Sequence, residues 1–249
     1  MNDPARAPWC FGRAFDLERV EQELARLDRR PTNLFECSED EARLAHYYSE
    51  AVIAREPQGP PQPDGPFECA REMVARLTFS DPRIVLAHYD PRTPLLGRSL
   101  LLELRALGLR FLCGVRVTSV QDEQEATRSR FAFRYDTLLG HIECGSEWFV
   151  LTKHHPSGDV VFRIEARWRP GDFPNWWSRV GFRVVGRRYQ RAWHRLAYLR
   201  LRRLLRSGPL PPLPPPGRIL HEGIPMPVGT VHAVSGTAPL PDIAVERAD

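Results

Sequence analysis

The alternation of apolar and polar positions predicts a run of strands flanked by helices. Residues 15–29 carry apolar side chains at helical spacing, with acids early and arginines late, which predicts a short amphipathic helix. Residues 67–79 show the same spacing after Asp64 and Pro66 and predict a second helix. Residues 47–54 are rich in aromatic and apolar side chains and predict a strand that precedes this second helix.

The period changes after residue 82, where short segments rich in β-branched and aromatic residues alternate with turn signals. No segment of helical length separates them, so we expect an antiparallel meander of six strands. Residues 121–125 mark one of the predicted turns. The six segments are RIVLAHY, GRSLLLELRAL, LRFLCGVRVTSV, SRFAFRYDTL, SEWFVLTKHH and DVVFRIEARW.

A long helix is predicted from near Pro174 to Gly208, and the prolines from Pro209 to Pro216 end it. At 1.5 Å per residue this helix would be about 45–50 Å long, enough to cross a small sheet. One side of it keeps apolar residues at helical spacing, and we expect that side to face the sheet. These residues are Val185, Tyr189, Ala192, Leu196 and Leu199.

Together these elements predict an α+β protein with the helix-grip fold, in which a curved antiparallel sheet wraps around a long C-terminal helix. A sheet with one apolar face must bury that face, and the last helix is the predicted element long enough to cover it. We expect an N-terminal extension with a short helix at 1–40, the helix-grip domain at 41–207, and a Pro-rich, loosely ordered tail at 208–249. Such a fold commonly leaves a cavity between helix and sheet.

The composition is that of an ordinary globular protein, with 249 residues, 42% of them hydrophobic, and a formal charge of +4. Five widely spaced cysteines without a C-x-x-C pair indicate neither a disulfide scaffold nor a zinc site, and we expect Cys113 and Cys144 to pack as small apolar residues. No apolar run is long enough to cross a bilayer, and the expected location is the cytoplasm. Glycine motifs for phosphate binding are absent, which disfavours nucleotide cofactors, and so is the G-x-S-x-G elbow of nucleophilic enzymes. We expect neither a cofactor nor a bound metal.

The pattern Y-x-T-L-x-G-H-x-E-x-G falls on residues 135–145, and Glu147 follows two residues later. With "PDGPFECAREM", "GRSLLLELRALGLRFLCGVRV" and "FRVVGRRYQRAWHRLAYLRLRRL", it resembles an uncharacterised family of bacteria and plants, DUF1990, over residues 47–205. The resemblance implies the START and birch-pollen-allergen helix-grip superfamily. It implies no particular activity, because the family has only a domain-of-unknown-function label and a fold does not specify a function.

The segment GHIECGSE holds the strongest candidate for chemistry. In an extended chain after Gly140, His141, Glu143 and Glu147 would project from the same face. A histidine with one or two carboxylates can act as a general base with its orienting partner, or as a weak metal site. The alternative, which we rank first, is structural: His141 and Glu143 satisfy backbone groups of a hairpin turn or pair with a nearby arginine.

Charged residues in the middle of predicted strands are a second group, comprising Arg116, Glu103, Arg105 and Glu165. Such charges form cross-strand ion pairs on the outer face, the interpretation we favour, or line a cavity. Arg116 is the candidate that would orient the polar head of a ligand. The candidate ligand-binding residues are Tyr135, Thr137, His141, Arg116 and Tyr189.

An arginine repeats every four residues along the first part of the predicted long helix. Like charges at this spacing repel on a helix, so the pattern indicates a docking face for phosphates or the solvent-facing side of a helix that packs through its other side. We favour the second interpretation and keep docking as the alternative, because few acids balance the charge. The candidate surface-binding residues are Arg179, Arg183, Arg187, Arg191 and Arg195.

Three functions fit these features, in decreasing order of support. The first is binding of a small, largely apolar ligand between the sheet and the last helix, without catalysis. The second is an enzyme of the cyclase or aromatase kind that the resembled superfamily sometimes supports, in which His141, Glu143 or Glu147 would act as acid or base and Tyr135 would position the substrate. The third is docking of the arginine-rich helix on anionic lipid or nucleic acid, for which the mild net charge makes no strong case.

Overall fold

One antiparallel sheet of nine strands, together with three helices, makes up the part of the chain that the computed structural model describes. That part comprises residues 10–12, 15–34, 44–90, 93–106, 108–171, 176–208, 210 and 220–221, with the backbone alone at 10–11, 17, 106, 109, 176–187 and 220–221. The elements are β1 (Cys10–Gly12), α1 (Leu17–Leu27), β2 (Ala45–Arg55), α2 (Pro66–Ala75), β3 (Val85–Tyr89), β4 (Ser99–Ala106), β5 (Leu109–Gln124), β6 (Arg128–Thr137), β7 (Glu143–His154), β8 (Asp159–Pro170), α3 (Trp176–Ser207) and β9 (Leu220–His221).

Strands β3 to β8 pair with their neighbours in chain order, as the predicted six-strand meander requires. The earlier strand β2 pairs with β8, so the full order is β2-β8-β7-β6-β5-β4-β3-β9, and β1 pairs with β5. Helix α3 packs against the inner face of this curved sheet, which confirms the helix-grip fold. Of the predicted tail, β9 pairs with β3, and most of the rest lies outside the described residues.

Two bulges interrupt the strand pairing, one between Val117 and Ser119 of β5 and one between Val52 and Ala54 of β2. The turn predicted at 121–125 is wrong, because β5 continues through its polar end and stays paired with β6. Residues 122–127 are exposed, so the hairpin tip is polar because it extends into solvent rather than because the strand ends.

The inner face of the sheet is aromatic and is covered by α2 and α3. The ring centroid of Phe79 lies 5.1 Å from those of Phe149 and Phe162 and 6.3 Å from that of Trp193. Burial of each such side chain stabilises the fold by about 1.5–3 kcal/mol. The space between the sheet and the second half of α3 is therefore filled by side chains.

The short N-terminal helix packs on the outer face of the sheet. Asp16 caps α1 by accepting a hydrogen bond from the backbone N–H of Arg19 at 2.8 Å. Gly114 of β5 leaves room for Leu27 of α1 to pack on the sheet, since a Cβ at position 114 would lie 2.6 Å from Cδ2 of Leu27. The buried cluster consists of Val20, Leu24, Leu27, Leu101, Leu112 and Leu138.

The face of α3 that contacts the sheet differs from the predicted one. Ala192 and Leu199, which were expected inside, are exposed, and Leu199 is 49% exposed. The prediction was wrong because it followed a mainly aliphatic set of residues and left out Trp193, His194 and Tyr198. The buried face carries aromatic and polar side chains with partners, as when Trp193 Nε1 donates to Ser80 Oγ at 3.0 Å. Its buried residues are Trp193, His194, Ala197, Tyr198 and Leu201, while Tyr189 and Leu196 are half-buried and Val185 lies outside the described side chains.

Side-chain donors of α3 also reach the backbone of the edge strand β2. Tyr198 donates its hydroxyl proton to Ser49 O at 2.6 Å, and Arg202 donates to Val52 O through Nη2 at 2.6 Å. The second contact lies beside the bulge of β2. These hydrogen bonds hold the helix along the edge of the sheet and occupy a carbonyl that could otherwise pair with another chain.

The cysteines differ from the expectation at one position. Cys113 is buried and free, and burial raises the pKa of its thiol to about 12. Cys144 is disulfide-bonded to a cysteine outside the described side chains, so the expectation that it packs as a free apolar residue was wrong. Pairing requires two cysteines to approach in space, which their spacing along the chain does not reveal.

Candidate functional site

A row of side chains crosses the inner face of the sheet where the aromatic core ends. Successive residues of a strand alternate between faces, so every second residue of β6, β7, β8 and β2 belongs to this inner face. The register aligns one residue from each strand at the same level: Tyr135, Glu147, Ala166 and Tyr47. The adjacent row towards α2 is mostly apolar and consists of Phe133, Phe149, Ile164 and Ser49.

Tyr135 and Glu147 are joined by a hydrogen bond in which the tyrosine hydroxyl donates to Oε2 of the carboxylate. Burial, followed by the charge of Glu147, raises the pKa of Tyr135 well above its usual value. The phenol therefore keeps its proton and holds one carboxylate oxygen in place. The other oxygen, Oε1, points to α3, where it lies 3.8 Å from Nε2 of His194.

His194 is buried and is oriented by a chain of hydrogen bonds. Its Nδ1 lies 2.6 Å from Ser49 Oγ, which lies 2.6 Å from the hydroxyl of Tyr198. Tyr198 in turn donates to Ser49 O. The ring of Tyr47 contacts the imidazole from the sheet, with 5.0 Å between the ring centroids.

Counting protons along this chain assigns the tautomer of His194. Because Tyr198 donates its single hydroxyl proton to Ser49 O, the Ser49 hydroxyl donates to the Tyr198 oxygen. The Ser49 oxygen is then the acceptor for Nδ1–H of His194. In the neutral ring Nε2 therefore carries the lone pair, and it is this nitrogen that faces Glu147.

Nε2 of His194 has no hydrogen-bond partner in the described part of the chain, although the residue is only 1% exposed. Its 3.8 Å separation from Glu147 Oε1 is too long for a hydrogen bond. Buried polar atoms normally have partners, so two facing acceptors at this distance form a place for a donor to bind. We call the part of the inner face bordered by these two atoms the His–Glu gap.

Glu143 shares the inner face of β7 with Glu147 because the two residues are four apart on one strand. Burial, followed by the charge of Glu147, raises the pKa of Glu143 to about 8. Part of the side chain stays accessible to solvent even though protein atoms surround it, as expected for a group that lines a recess. Glu143 is therefore mostly protonated at neutral pH and adds a hydrogen-bond donor to this end of the inner face.

His141 lies outside the His–Glu gap. It follows the β6–β7 turn, where its Nδ1 accepts a hydrogen bond from the backbone N–H of Glu143 at 2.9 Å. Burial lowers the pKa of His141 to about 4, so the ring is neutral at pH 7. The structure thus brings Tyr135, Glu143 and Glu147 to one face, and the histidine that joins them is His194 rather than His141.

Thr137 and Arg116 also hold the fold together. Thr137 Oγ1 donates to Asn33 Oδ1 at 2.5 Å and accepts from the backbone N–H of Gly145 at 2.9 Å, which fixes the end of the β6–β7 hairpin. Arg116 lies on the outer face, where its Nη2 donates to Leu27 O at the end of α1, 2.6 Å away. A ligand on the inner face would therefore not meet Arg116.

Glu103 and Glu165 form outer-face ion pairs, as the favoured interpretation expected. Glu103 Oε1 lies 3.0 Å from Nη1 of Arg110 on the neighbouring strand β5, and Glu165 Oε2 lies 2.8 Å from Nη2 of Arg163 on its own strand.

Tyr189 and two of the arginines that repeat every four residues lie in the part of α3 whose side chains are described. Tyr189 is half-buried four residues before Trp193, and Arg191 and Arg195 are exposed. The side chains of Arg179, Arg183 and Arg187 lie outside the described residues.

The residues that sequence reasoning missed are Ser49, His194 and Tyr198. His194 and Tyr198 are four residues apart and therefore share a helical face. That spacing indicates that the two side chains lie close together. It does not indicate their partner, because Ser49 lies 145 residues from His194 along the chain.

Within the described residues, no group of three or more His, Cys, Asp and Glu side chains is placed to hold a metal ion. The described helices include none long and apolar enough to span a membrane.

A curved antiparallel sheet that holds a long C-terminal helix against its inner face defines a helix-grip protein. The chain belongs to the family described as "Domain of unknown function (DUF1990)", whose family model matches residues 31–199. No curated protein matches the chain.

Several solved structures are similar to the chain at low identity. Ara h 8.0201 is 11% identical, with a TM-score of 0.36 over 66% of this chain and 99% of that chain. A point mutant of Thalictrum flavum norcoclaurine synthase, in complex with a transition-state analogue, is 8% identical, with a TM-score of 0.38 over 66% and 94%. An uncharacterised protein from Rhizobium leguminosarum is 13% identical, with a TM-score of 0.31 over 64% and 98%. These likenesses are too distant to support an argument about function.

Proposed function

We propose that the protein binds a small, largely apolar molecule whose hydrogen-bond donor, a hydroxyl or an amine, occupies the His–Glu gap. The unpartnered, buried Nε2 of His194 facing Glu147 Oε1 is the observation that carries this proposal. A donor beside the line that joins the two atoms is within hydrogen-bond distance of both: an amine would donate one proton to each, and a hydroxyl would donate its one proton to either. Hydrogen bonds to charged groups contribute about 1.5–3 kcal/mol each, so the gap would select for the head of the ligand.

The surroundings of the gap favour an apolar body on the ligand. Tyr47 and Tyr135 border it with aromatic rings, and Ala166 between them in the row is small. The aromatic core already fills the space under the second half of α3. The ligand would therefore lie at the Tyr47 and Glu143 end of the inner face instead of along the predicted face from Val185 to Leu199.

The charges of the inner face favour a donor over an anion. Glu147 presents a carboxylate oxygen to the gap, and Lys153, the lysine of this face, is bound to Glu56 at 2.5 Å. A carboxylate or phosphate head would meet acceptors without a matching cation among the described residues of this row. Neutral alcohols, phenols and amines match the site better.

Matched pairs of probes test the proposal. Benzyl alcohol, 1-hexanol and 2-naphthol would be compared with their methyl ethers by isothermal titration calorimetry, because each ether keeps the apolar body and loses the donor. We expect at least one hydroxyl probe to bind about tenfold more tightly than its ether, as the loss of one charge-assisted hydrogen bond implies. Native mass spectrometry of the purified protein would show whether a molecule of this class co-purifies.

Two variants locate the binding. Glu147→Gln is expected to weaken the hydroxyl probe about tenfold and to leave the ether unchanged. Glu50→Gln is the matched control, since Glu50 is an exposed acid on β2 next to Ser49 but points away from the inner face. Equal affinities for alcohol and ether in both the parent protein and Glu147→Gln would contradict the proposal.

A further inference from the structure

Helix α3 carries ten arginines and no acidic residue. Two of them have structural partners: Arg200 donates to Thr78 O at 2.7 Å, and Arg202 donates to Val52 O. Others are exposed on the described half of the helix. These exposed residues, which we call the arginine stripe, are Arg188, Arg191, Arg195, Arg203 and Arg206.

The arginine stripe is a straight surface opposite the buried face of the helix. At about 100° per residue its five members fall within about 120° of one another, and the buried residues from Trp193 to Leu201 occupy the other side. From Arg188 to Arg206 the stripe extends about 27 Å along the helix axis. A straight, exposed row of this length can contact a flat surface with all its members at once.

Most described arginines outside α3 have an acidic partner, unlike those of the stripe. Fourteen described arginines outside α3 form ion pairs, among them Arg55 with Asp159 and Arg128 with Glu125. None of the five stripe residues pairs with a described acid. Five exposed arginines without a described acidic partner thus lie together on one face of one helix, and this face is suited to a partner that supplies the negative charge.

An exposed leucine identifies the kind of partner. Leu199 is 49% exposed and lies in the middle of the stripe, between Arg195 and Arg203. Val52, 40% exposed, lies on the edge strand whose carbonyl binds Arg202. A helix face with arginines around an apolar side chain matches the interface of an anionic bilayer, where head groups meet acyl chains. Phosphates of a nucleic acid would use the arginines and leave Leu199 without a contact.

We propose that the arginine stripe, with Leu199 at its centre, docks the protein on the surface of an anionic lipid bilayer. The helix lies parallel to the surface, the arginines contact lipid phosphates, and Leu199 enters the boundary between head groups and acyl chains. Helix α3 lies between the bilayer and the inner face of the sheet, so the arginine stripe and the His–Glu gap lie on opposite sides of the helix.

Co-sedimentation of the full chain with vesicles tests this docking. We expect binding to vesicles of 70% phosphatidylcholine and 30% phosphatidylglycerol at 50 mM salt, and at least tenfold weaker binding to phosphatidylcholine alone. Raising the salt to 300 mM is expected to weaken binding to the anionic vesicles, because exposed charges are screened. Absence of binding to the anionic vesicles at 50 mM salt would overturn the proposal.

Variants with equal charge separate the stripe from net charge. The triple variant Arg191→Gln, Arg195→Gln, Arg206→Gln is expected to bind about 100-fold more weakly, at roughly fivefold per arginine. Its control is Arg26→Gln, Arg55→Gln, Arg128→Gln, which removes three exposed arginines elsewhere and is expected to change binding less than fivefold. Equal losses in both triple variants would mean that net charge, not the stripe, drives the binding.

The leucine distinguishes lipid from nucleic acid. Leu199→Ser is expected to weaken vesicle binding about fivefold, with the salt dependence retained. The same variant is expected to leave binding to a 20-base-pair DNA duplex unchanged. A duplex that binds more tightly than the anionic vesicles at the same salt would overturn the assignment to lipid.

Discussion

The hydroxyl of Ser49 determines which nitrogen of His194 carries the proton. By accepting from Nδ1, it leaves the lone pair on Nε2, opposite Glu147. A histidine with the other tautomer would present N–H to the carboxylate and close the gap by a direct interaction. One serine on an edge strand therefore decides whether this histidine acts as a donor or an acceptor at the candidate site.

Glu143 makes the stability of the protein depend on pH. Its pKa in the folded state, about 8, lies above the unfolded value of about 4.3. Between these values the folded state binds a proton that the unfolded state lacks, so the free energy of unfolding falls as pH rises from about 4.5 to 8. Glu143→Gln, which resembles the protonated acid, is expected to gain about 2 kcal/mol relative to the parent between pH 5 and pH 8.5, after allowance for the accessible part of the side chain.

Urea unfolding of both proteins at pH 5, 7 and 8.5 measures this gain. Glu50→Gln, an exposed acid on the opposite face, serves as the control and is expected to follow the parent at every pH. Parallel curves for the parent and Glu143→Gln would show that the folded state does not retain the Glu143 proton.

The motif of residues 135–147 predicts part of the candidate site but not its histidine. The pattern around residues 135–147 correctly singled out Tyr135, Glu143 and Glu147, which share the inner face because residues two apart on a strand point the same way. The same pattern led to His141, whose ring the turn uses for its own backbone. Arg116 was a mid-strand charge that could face either side, and only the docking of α1 shows which.

At the level of elements, a buried ion pair connects β2, α2 and β7. Lys153 Nζ lies 2.5 Å from Glu56 Oε2, and both side chains are fully buried. Glu56 Oε1 also accepts from the backbone N–H of Phe67 at 2.5 Å, so the carboxylate serves the start of α2. Lys153 donates in addition to Pro60 O at 2.9 Å. The pair thereby fixes the connector between strand and helix.

Lys153→Met is expected to destabilise the protein by about 3–5 kcal/mol, because it leaves the charge of Glu56 buried without a partner. Adding Glu56→Gln is expected to recover part of that loss, since the amide removes the charge and can still accept from the backbone of Phe67. Chemical denaturation of the two single variants and the double variant forms a double-mutant cycle. Additive losses would show that the two side chains act independently.

Helix α3 illustrates why local pattern misjudges a face. The aliphatic residues Ala192 and Leu199 mark one side, whereas the fold buries Trp193, His194 and Tyr198 on another. Burying a polar atom costs little free energy when it forms a hydrogen bond. Here Trp193 is bonded to Ser80 and His194 to Ser49, both on distant segments of the chain. A hydrophobicity pattern contains no information about such partners.

At the scale of the whole molecule, α1 belongs to the folded unit although it precedes the family match, which begins at residue 31. Val20, Leu24 and Leu27 cover apolar side chains on the outer face of β4 and β5. Arg116 and Ser99 bind the end of the helix, at Leu27 O and Asp28 Oδ1. The outer face would lose its apolar cover without this segment.

A chain that begins at residue 31 is expected to be less stable by at least about 3 kcal/mol and to self-associate, because the leucines of the outer face become exposed. Chemical denaturation and analytical ultracentrifugation measure the two effects. A chain that begins at Cys10 keeps every described contact of α1 and is the control. Equal stability and a monomeric state for both truncations would exclude a structural role for α1.

The sequence by itself determined the order and type of the three helices and of strands β2 to β8, because strand alternation and helical spacing are local properties of the backbone. The six-strand meander, the long last helix and the helix-grip fold follow from these periods. Only the tertiary structure decided which face of α3 is buried, which histidine meets Glu147 and which side of the sheet Arg116 occupies. Each of these depends on contacts between residues far apart in the chain, such as Ser49 and His194, and no local period encodes them.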